Sequence, residues 1–306
     1  MIKINSMSTH KHLRTVIEDI YENNNELTKD LAFKLTNEFR YSNLSIPAKR
    51  DENGLNFIIY EDDDLKVIPL FTDFDEFRKF FKDDDSIELM ENSFELYQNI
   101  LKTSDFDGYI LNPSSEKYLF RKDFILSIKN IPKTNYYSPE SYSADEFKKL
   151  TDFDNTALEK FISNPNNAGD YERLFEKMSG CVFQTLMVSD TDLEPLSEDG
   201  VISMMKTSYQ AQMYTDNIGG VYATIFSSKD KLKAVNCDKF KYSQIINLSM
   251  LVNFVLVEDL DGIILNSGSD DVLIPRTTLL RYSLGFEKYA NDEKLYNSIY
   301  YMFLID

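Results

Sequence analysis

Apolar residues recur along this chain in two rhythms, a helical one and short unbroken runs, and both halves show them in the same order. Amphipathic segments near residues 8–22 and 27–40 predict one pair of helices; segments near 154–163 and 168–179 predict another. The stretch from Leu31 to Phe39 leads into Leu44-Ser45-Ile46-Pro47, and that from Tyr171 to Met178 leads into Val182 to Val188, so a strand follows each pair. Two strands joined by a charged turn come next. Phe57 to Tyr60 and Leu65 to Ile68 flank Glu61-Asp62-Asp63-Asp64; in the second half Thr224 to Ser227 and Leu232 to Val235 are aligned with them, across a turn at Ser227 to Lys231. A helix is then expected from Glu91 to Lys102, with Phe94, Leu96, Tyr97 and Leu101 near helical spacing, and from Tyr242 to Val257. Asp-Gly turns the chain into Tyr109-Ile110-Leu111 or Ile263-Ile264-Leu265, apolar at every position, as in a strand covered on both faces. A last helix begins near Lys122 and near Arg276, the latter preceded by Pro275.

The decapeptide Phe106 to Ser115 shares six identities with Leu260 to Ser269: the Asp, Gly, Ile, Leu and Asn of each core and the final Ser. With four features in the same order in both halves, the chain reads as an internal duplication. The fold class is α/β, with an α+β-like mixed sheet and flanking helices, in two similar domains. Copy one spans 1–133 and copy two, the more divergent, 153–306. The linker at 134–152 opens in a segment (131–145) carrying Pro132, Pro139 and small polar residues. Asn23-Asn24-Asn25 is a helix-to-helix turn.

The 306 residues are 42% hydrophobic and 13% aromatic, enough to build real cores, and length alone suggests about two domains. A net charge of -18 disfavours nucleic acid and anionic membrane as partners. The greasiest run, Met250 to Val257, is far shorter than the ~20 residues that span a bilayer, and Asn253 interrupts it. The first residues carry no apolar signal core, and Cys181 and Cys237 are too few for a disulfide scaffold, so a cytoplasmic location is expected.

Reactive chemistry is hard to assemble from these residues. His10 and His12 read as two exposed side chains that do not share a helical face, and no zinc spacing occurs. Asp190 to Val201 has carboxylates at the first, third and fifth positions of a calcium loop, but Pro195 and Val201 stand where glycine and the bidentate glutamate belong. Both cysteines lie in or beside expected strands and read as buried, inert thiols. No nucleophile elbow or phosphate-binding glycine loop occurs. Neither a cofactor nor a metal is expected, and no catalytic residue is assigned.

The repeated Asp-x-Asp-Gly and terminal Asn leave one candidate site. Asp107 and Asp261 either bond local backbone in a helix-to-strand turn or offer an acidic ligand at the lip of a sheet. Asn112 and Asn266 either cap the turn after the strand or line a cleft at the strand ends. The charge runs Glu61 to Asp64 and Asp83 to Asp85 read as solvated turns, or as a face for a basic partner. Tyr289, Tyr296, Tyr300 and Tyr301 crowd a C-terminus that reads as an element docked on the core or an exposed contact segment.

Leu44-Ser45-Ile46-Pro47, Val67-Ile68-Pro69-Leu70-Phe71-Thr72-Asp73 and Gly108-Tyr109-Ile110-Leu111-Asn112-Pro113 together resemble the SseB N-terminal domain family, named for enhanced serine sensitivity. In copy two the resemblance rests on Gly262-Ile263-Ile264-Leu265-Asn266, and the Pro-Leu-Phe-Thr core is expected to be lost from Leu232 to Asn236. The resemblance implies a small α/β domain with a mixed sheet, no established enzymatic activity and no catalytic residues to carry over. The expected function is a non-enzymatic protein-interaction or regulatory module that binds an unknown protein partner or a second copy of itself. The alternatives are a small-molecule sensor with a cleft at the strand ends and an enzyme that works with carboxylates alone.

Overall fold

A computed structural model describes residues 10–129, 152–189, 201–203, 209–235, 240–282 and 301–304, apart from 53, 63, 83 and 85. The chain divides into two compact units, Met1–Ile131 with Leu256–Asp259, and Pro132–Val255 with Leu260–Asp306. The expected linker lies almost wholly outside the described residues. The fold is α+β: mixed and antiparallel sheets flanked by helices, with a similar pair of sheets in each unit.

The first unit opens with α1 (Lys11–Glu22) and α2 (Lys29–Tyr41), joined by the expected turn, in which Asn24 and Asn25 both take positive φ. Leu13, Val16, Ile17 and Ile20 give α1 one apolar face, and all four are buried. Thr28 caps α2 by accepting a hydrogen bond from the Leu31 amide. One antiparallel sheet is ordered β2 (Gly54–Phe57), β1 (Ser45–Asp51), β5 (Ile87–Glu91). The other runs β3 (Tyr60–Asp62), β4 (Leu65–Leu70), β6 (Gly108–Leu111), β7 (Tyr118–Arg121), and only β4 and β6 are parallel in it. A bridge between Ser45 and Phe71 ties the two sheets. Helices α3 (Phe74–Phe81) and α4 (Phe94–Thr103) carry the chain from β4 to β6 by way of β5, and α5 (Lys122–Ser127) follows β7. Every residue of β6 is buried, as its unbroken apolar run requires. Phe39 of α2 stacks on Phe120 of β7 at 4.2 Å, while the Tyr97 hydroxyl donates to the Leu44 carbonyl and that of Tyr109 to the Tyr97 carbonyl. Helices and sheets are thus tied through one core.

The second unit repeats the plan. Helices α6 (Thr156–Ile162) and α7 (Tyr171–Met178) precede β8 (Val182–Ser189). Strand β8 pairs with β10 (Tyr209–Ala211) and β13 (Tyr242–Asn247) as β1 pairs with β2 and β5. The second sheet runs β11 (Met213–Thr215), β12 (Val221–Ile225), β14 (Gly262–Leu265), β15 (Val272–Pro275), with β12 and β14 parallel. A bridge between Gln184 and Phe226 ties these sheets. Helices α8 (Lys229–Ala234), α9 (Leu248–Val257) and α10 (Arg276–Tyr282) occupy the places of α3, α4 and α5. Among the described residues, two strands have no counterpart in the first unit: β9 (Val201–Ser203) and β16 (Tyr301–Leu304), which extend the first sheet beyond β13. The C-terminal run thus adds a strand, and Tyr289, Tyr296 and Tyr300 lie outside the described residues.

The structure corrects the expected alignment of the halves. Ser227 to Lys231 is not a hairpin turn: Ser228 caps α8, accepting from the Lys231 amide. Leu232 to Val235 therefore holds the end of that helix, and the counterpart of Pro69-Leu70-Phe71-Thr72-Asp73 is Thr224-Ile225-Phe226-Ser227-Ser228. The strand-end core is kept in copy two. Tyr242 to Asn247 is also a strand, with the helix beginning only at Leu248. In copy one α3 and β5 fill a stretch that periodicity left unassigned.

Candidate functional site

The parallel pair in each unit ends in a buried polar network. After β4 the chain passes through Phe71 and Thr72 to Asp73, whose carboxylate accepts from the Glu76 amide and caps α3. After β6, Asn112 turns the chain with φ 43° and is fully buried. Its Oδ1 accepts from the Thr72 amide (3.2 Å), and its Nδ2 donates to Thr72 Oγ1 (2.9 Å) and Glu116 Oε2 (2.8 Å). Ser115 Oγ donates to Glu76, and Thr72 Oγ1 to Asp73. Arg14 reaches in from α1 to Glu116 (2.5 Å), Asp73 (3.3 Å) and Glu76 (3.7 Å), whose side chain is 2% exposed and also pairs with Lys79.

Asn266 repeats every bond of Asn112. Its Oδ1 accepts from the Ser227 amide (2.8 Å), and its Nδ2 donates to Ser227 Oγ (3.0 Å) and Asp270 Oδ2 (2.7 Å). Ser227 Oγ donates to Glu159 of α6, and Lys231 pairs with Asp270 at 2.9 Å. Asn155, just before α6, donates to the carbonyls of Val182 and Ser227. Each asparagine has its amide spent on its own chain, so it fastens the end of one parallel strand to the other and to the turn that follows.

Asp107 and Asp261 lie at the opposite end of the same strands. Asp107 Oδ2 accepts from the Lys66 amide (2.8 Å), its amide donates to the Lys66 carbonyl, and its carbonyl accepts from Lys122. Asp261 makes the same three bonds with Val221 and Arg276. The structure therefore separates Asp107 from Asn112, and Asp261 from Asn266, by a full four-residue strand, on the order of 15 Å. Asp105 pairs with Lys66 at 3.2 Å on the surface, and that hydrogen bond holds its carboxyl below the usual range.

His10 is buried at the start of α1 and His12 half-buried, where exposed side chains were expected. Among the described residues no group of three or more His, Cys, Asp and Glu is placed to hold a metal ion. Cys181 is buried, its thiol donates to the Lys177 carbonyl, and burial pushes its pKa up to about 11. Iodoacetamide at neutral pH is expected to leave Cys181 unlabelled in the native chain and to modify it in urea, which peptide mass mapping would show. Cys237 and residues 190–200 of the calcium-like stretch lie outside the described residues.

Periodicity gave no notice of Arg14, Thr72, Glu76, Glu116, Glu159, Ser227 or Lys231. The available signal was the pair of capping patterns, Asp73 to Glu76 and Ser228 to Lys231, each placed after an apolar strand. A second feature it missed is the β11–β12 hairpin. Asp216 Oδ1 accepts from the amides of Ile218 (2.9 Å) and Gly220 (2.7 Å), and its Oδ2 from the Tyr222 hydroxyl (3.0 Å). Burial works to raise the Asp216 pKa, but those donors outweigh it and hold the carboxyl below the usual range. The turn so built presents Ile218 at 93% exposure, with Tyr214 beside Tyr222 on the adjoining strands and 45% exposed.

Comparison with known protein families, with curated proteins and with solved structures finds no match to this chain.

Proposed function

We propose that this chain is a non-enzymatic, cytoplasmic protein-interaction module made of two SseB-like domains, and that the β11–β12 hairpin of the second is its contact element. The family reading is supported by the way its three motifs converge: Ser45 bridges Phe71, β4 lies parallel to β6, and Thr72 is held by Asn112. The corresponding residues of copy two do the same. No helix among the described residues is long and apolar enough to cross a membrane.

The observation that carries the interaction reading is Ile218. A branched aliphatic side chain open to water contributes nothing to folding, yet five hydrogen bonds made by Asp216 fix the turn that displays it. A preordered tip loses little entropy when it enters a partner's apolar pocket. Copy one has the acidic run Glu61 to Asp64 at the same turn, so the apolar tip belongs to copy two alone. With a net charge of -18, a second copy is a poor occupant and a partner with basic groups around its pocket a good one.

Ile218→Asp is expected to abolish recovery of the partner that co-purifies with the full chain from its native cell. Because Ile218 packs against nothing, the unfolding midpoint should move by less than ~0.5 kcal/mol equivalent. An unchanged set of partners with the aspartate variant would overturn the assignment to this hairpin.

A further inference from the structure

The two strand-end networks share the cap and turn bonds that build them and differ in the charges laid over them. Arg14 and Glu159 are each the fourth residue of the first helix of their unit, and their amides donate to His10 and Asn155 respectively. Glu76 and Lys231 are each the third residue of the helix after the first parallel strand, β4 or β12, with amides held by the caps Asp73 and Ser228. At both places the sign is reversed between copies. Glu116 and Asp270, each bonded to the strand-end asparagine, keep theirs.

We infer that this reversal is a matching code, which commits each N-terminal helix to the sheets of its own copy. Two copies of one fold on one chain risk exchanging equivalent elements while they fold, because apolar faces of similar shape discriminate poorly. Charges under a helix discriminate better: Arg14 and Lys231 are each about a third exposed, but a like-charged pair placed there repels, and losing Arg14 would leave the buried side chain of Glu76 and the nearly buried one of Glu116 short of a partner. With α1 seated on copy two, Arg14 would take the place of Glu159 and leave two cations, Arg14 and Lys231, sharing Asp270. With α6 seated on copy one, Glu159 would join Asp73, Glu76 and Glu116, leaving only Lys79 to balance four carboxylates. In the native arrangement Arg14 answers three acids, and Glu159 accepts from Ser227 while Lys231 answers Asp270.

The test uses three variants of the full chain. One exchanges the helix charges (Arg14→Glu with Glu159→Arg). One neutralises them (Arg14→Gln with Glu159→Gln). The third adds Glu76→Lys and Lys231→Glu to the exchanged pair. Thermal midpoint and the yield of native-mass protein after refolding from urea are read for each. The exchanged variant should melt several degrees below the neutral one and refold in lower yield, and the fourfold variant should recover part of both losses. Were packing rather than charge sign what matters at these four positions, the exchanged and neutral variants would melt together and the fourfold variant lower still, since it carries two more substitutions at the network. An exchanged variant no worse than the neutral one, or a fourfold variant no better than the exchanged one, would overturn the code.

Discussion

Alanine in place of Gly108 is expected to cost more than about 4 kcal/mol of stability, and alanine in place of Gly262 about as much. Both glycines open the second of the two parallel strands of their sheet, β6 and β14, at left-handed φ values, 156° and 151°. A Cβ on Gly108 would overlap the Phe120 carbonyl oxygen, and one on Gly262 the Ile274 carbonyl oxygen. These are backbone atoms of β7 and β15, so no rotamer change relieves the overlap. The antiparallel pairing of Gly108 with Arg121, or of Gly262 with Pro275, would have to open. The Asp bonds to Lys66 and Val221 one residue earlier would shift with it. At a few degrees per kcal/mol, each substitution should lower the thermal midpoint by roughly 10 °C or more. Gly180→Ala, with nothing within 4 Å of the new methyl, should change stability by less than about 0.5 kcal/mol. Circular dichroism melts of the three variants check the order, and a Gly108→Ala midpoint near that of Gly180→Ala would refute the steric account.

These glycines were within reach of the sequence because they sit in the part of the repeat that cannot drift. Asp-Gly, an unbroken apolar run and Asn recur at one spacing, and packing on both faces forbids substitution between them. The helix pairs were legible for a related reason: α1 and α2 bury one stripe each, so their spacing carries the signal. The middle of copy two was not. Leu232-Lys233-Ala234-Val235 is too short for periodicity to separate a strand from the end of a helix, and the deciding residue, Ser228, acts through its side chain rather than its hydropathy. Between β13 and α9 no glycine or proline marks the change, and Asn247, which accepts from the Met250 amide, is the only boundary. The strand-end ion pairs were hidden more deeply still. Arg14 and Glu159 look like ordinary charges on the wet face of a helix until the fold sets the cap of another helix beneath them.

Asn112→Ala should be the next largest loss after the two glycines, about 2–4 kcal/mol, because it strands partners that are themselves buried. The Thr72 amide loses its acceptor and Glu116 a donor, while Arg14 is left to hold Glu116 alone. Asn112→Asp separates the two halves of that role. An aspartate can still accept from the Thr72 amide, but once ionised it cannot donate to Glu116 and instead repels it. Burial beside a second carboxylate raises the folded-state pKa of such a residue above its unfolded value. Its native-state stability is then fully present below the unfolded pKa and is lost as pH rises through the folded one. Urea midpoints for Asn112→Asp should therefore lie closer to the native chain in mildly acidic buffer than at neutral pH, whereas those for Asn112→Ala should keep the same deficit at both. The same pattern is expected at Asn266, where Asp270 stands in for Glu116. Equal deficits for Asn112→Asp at the two pH values would show that the amide's donor half is idle. The carboxylate at Glu116 would then belong wholly to Arg14, and the strand ends would be closed by the helix rather than by the asparagine.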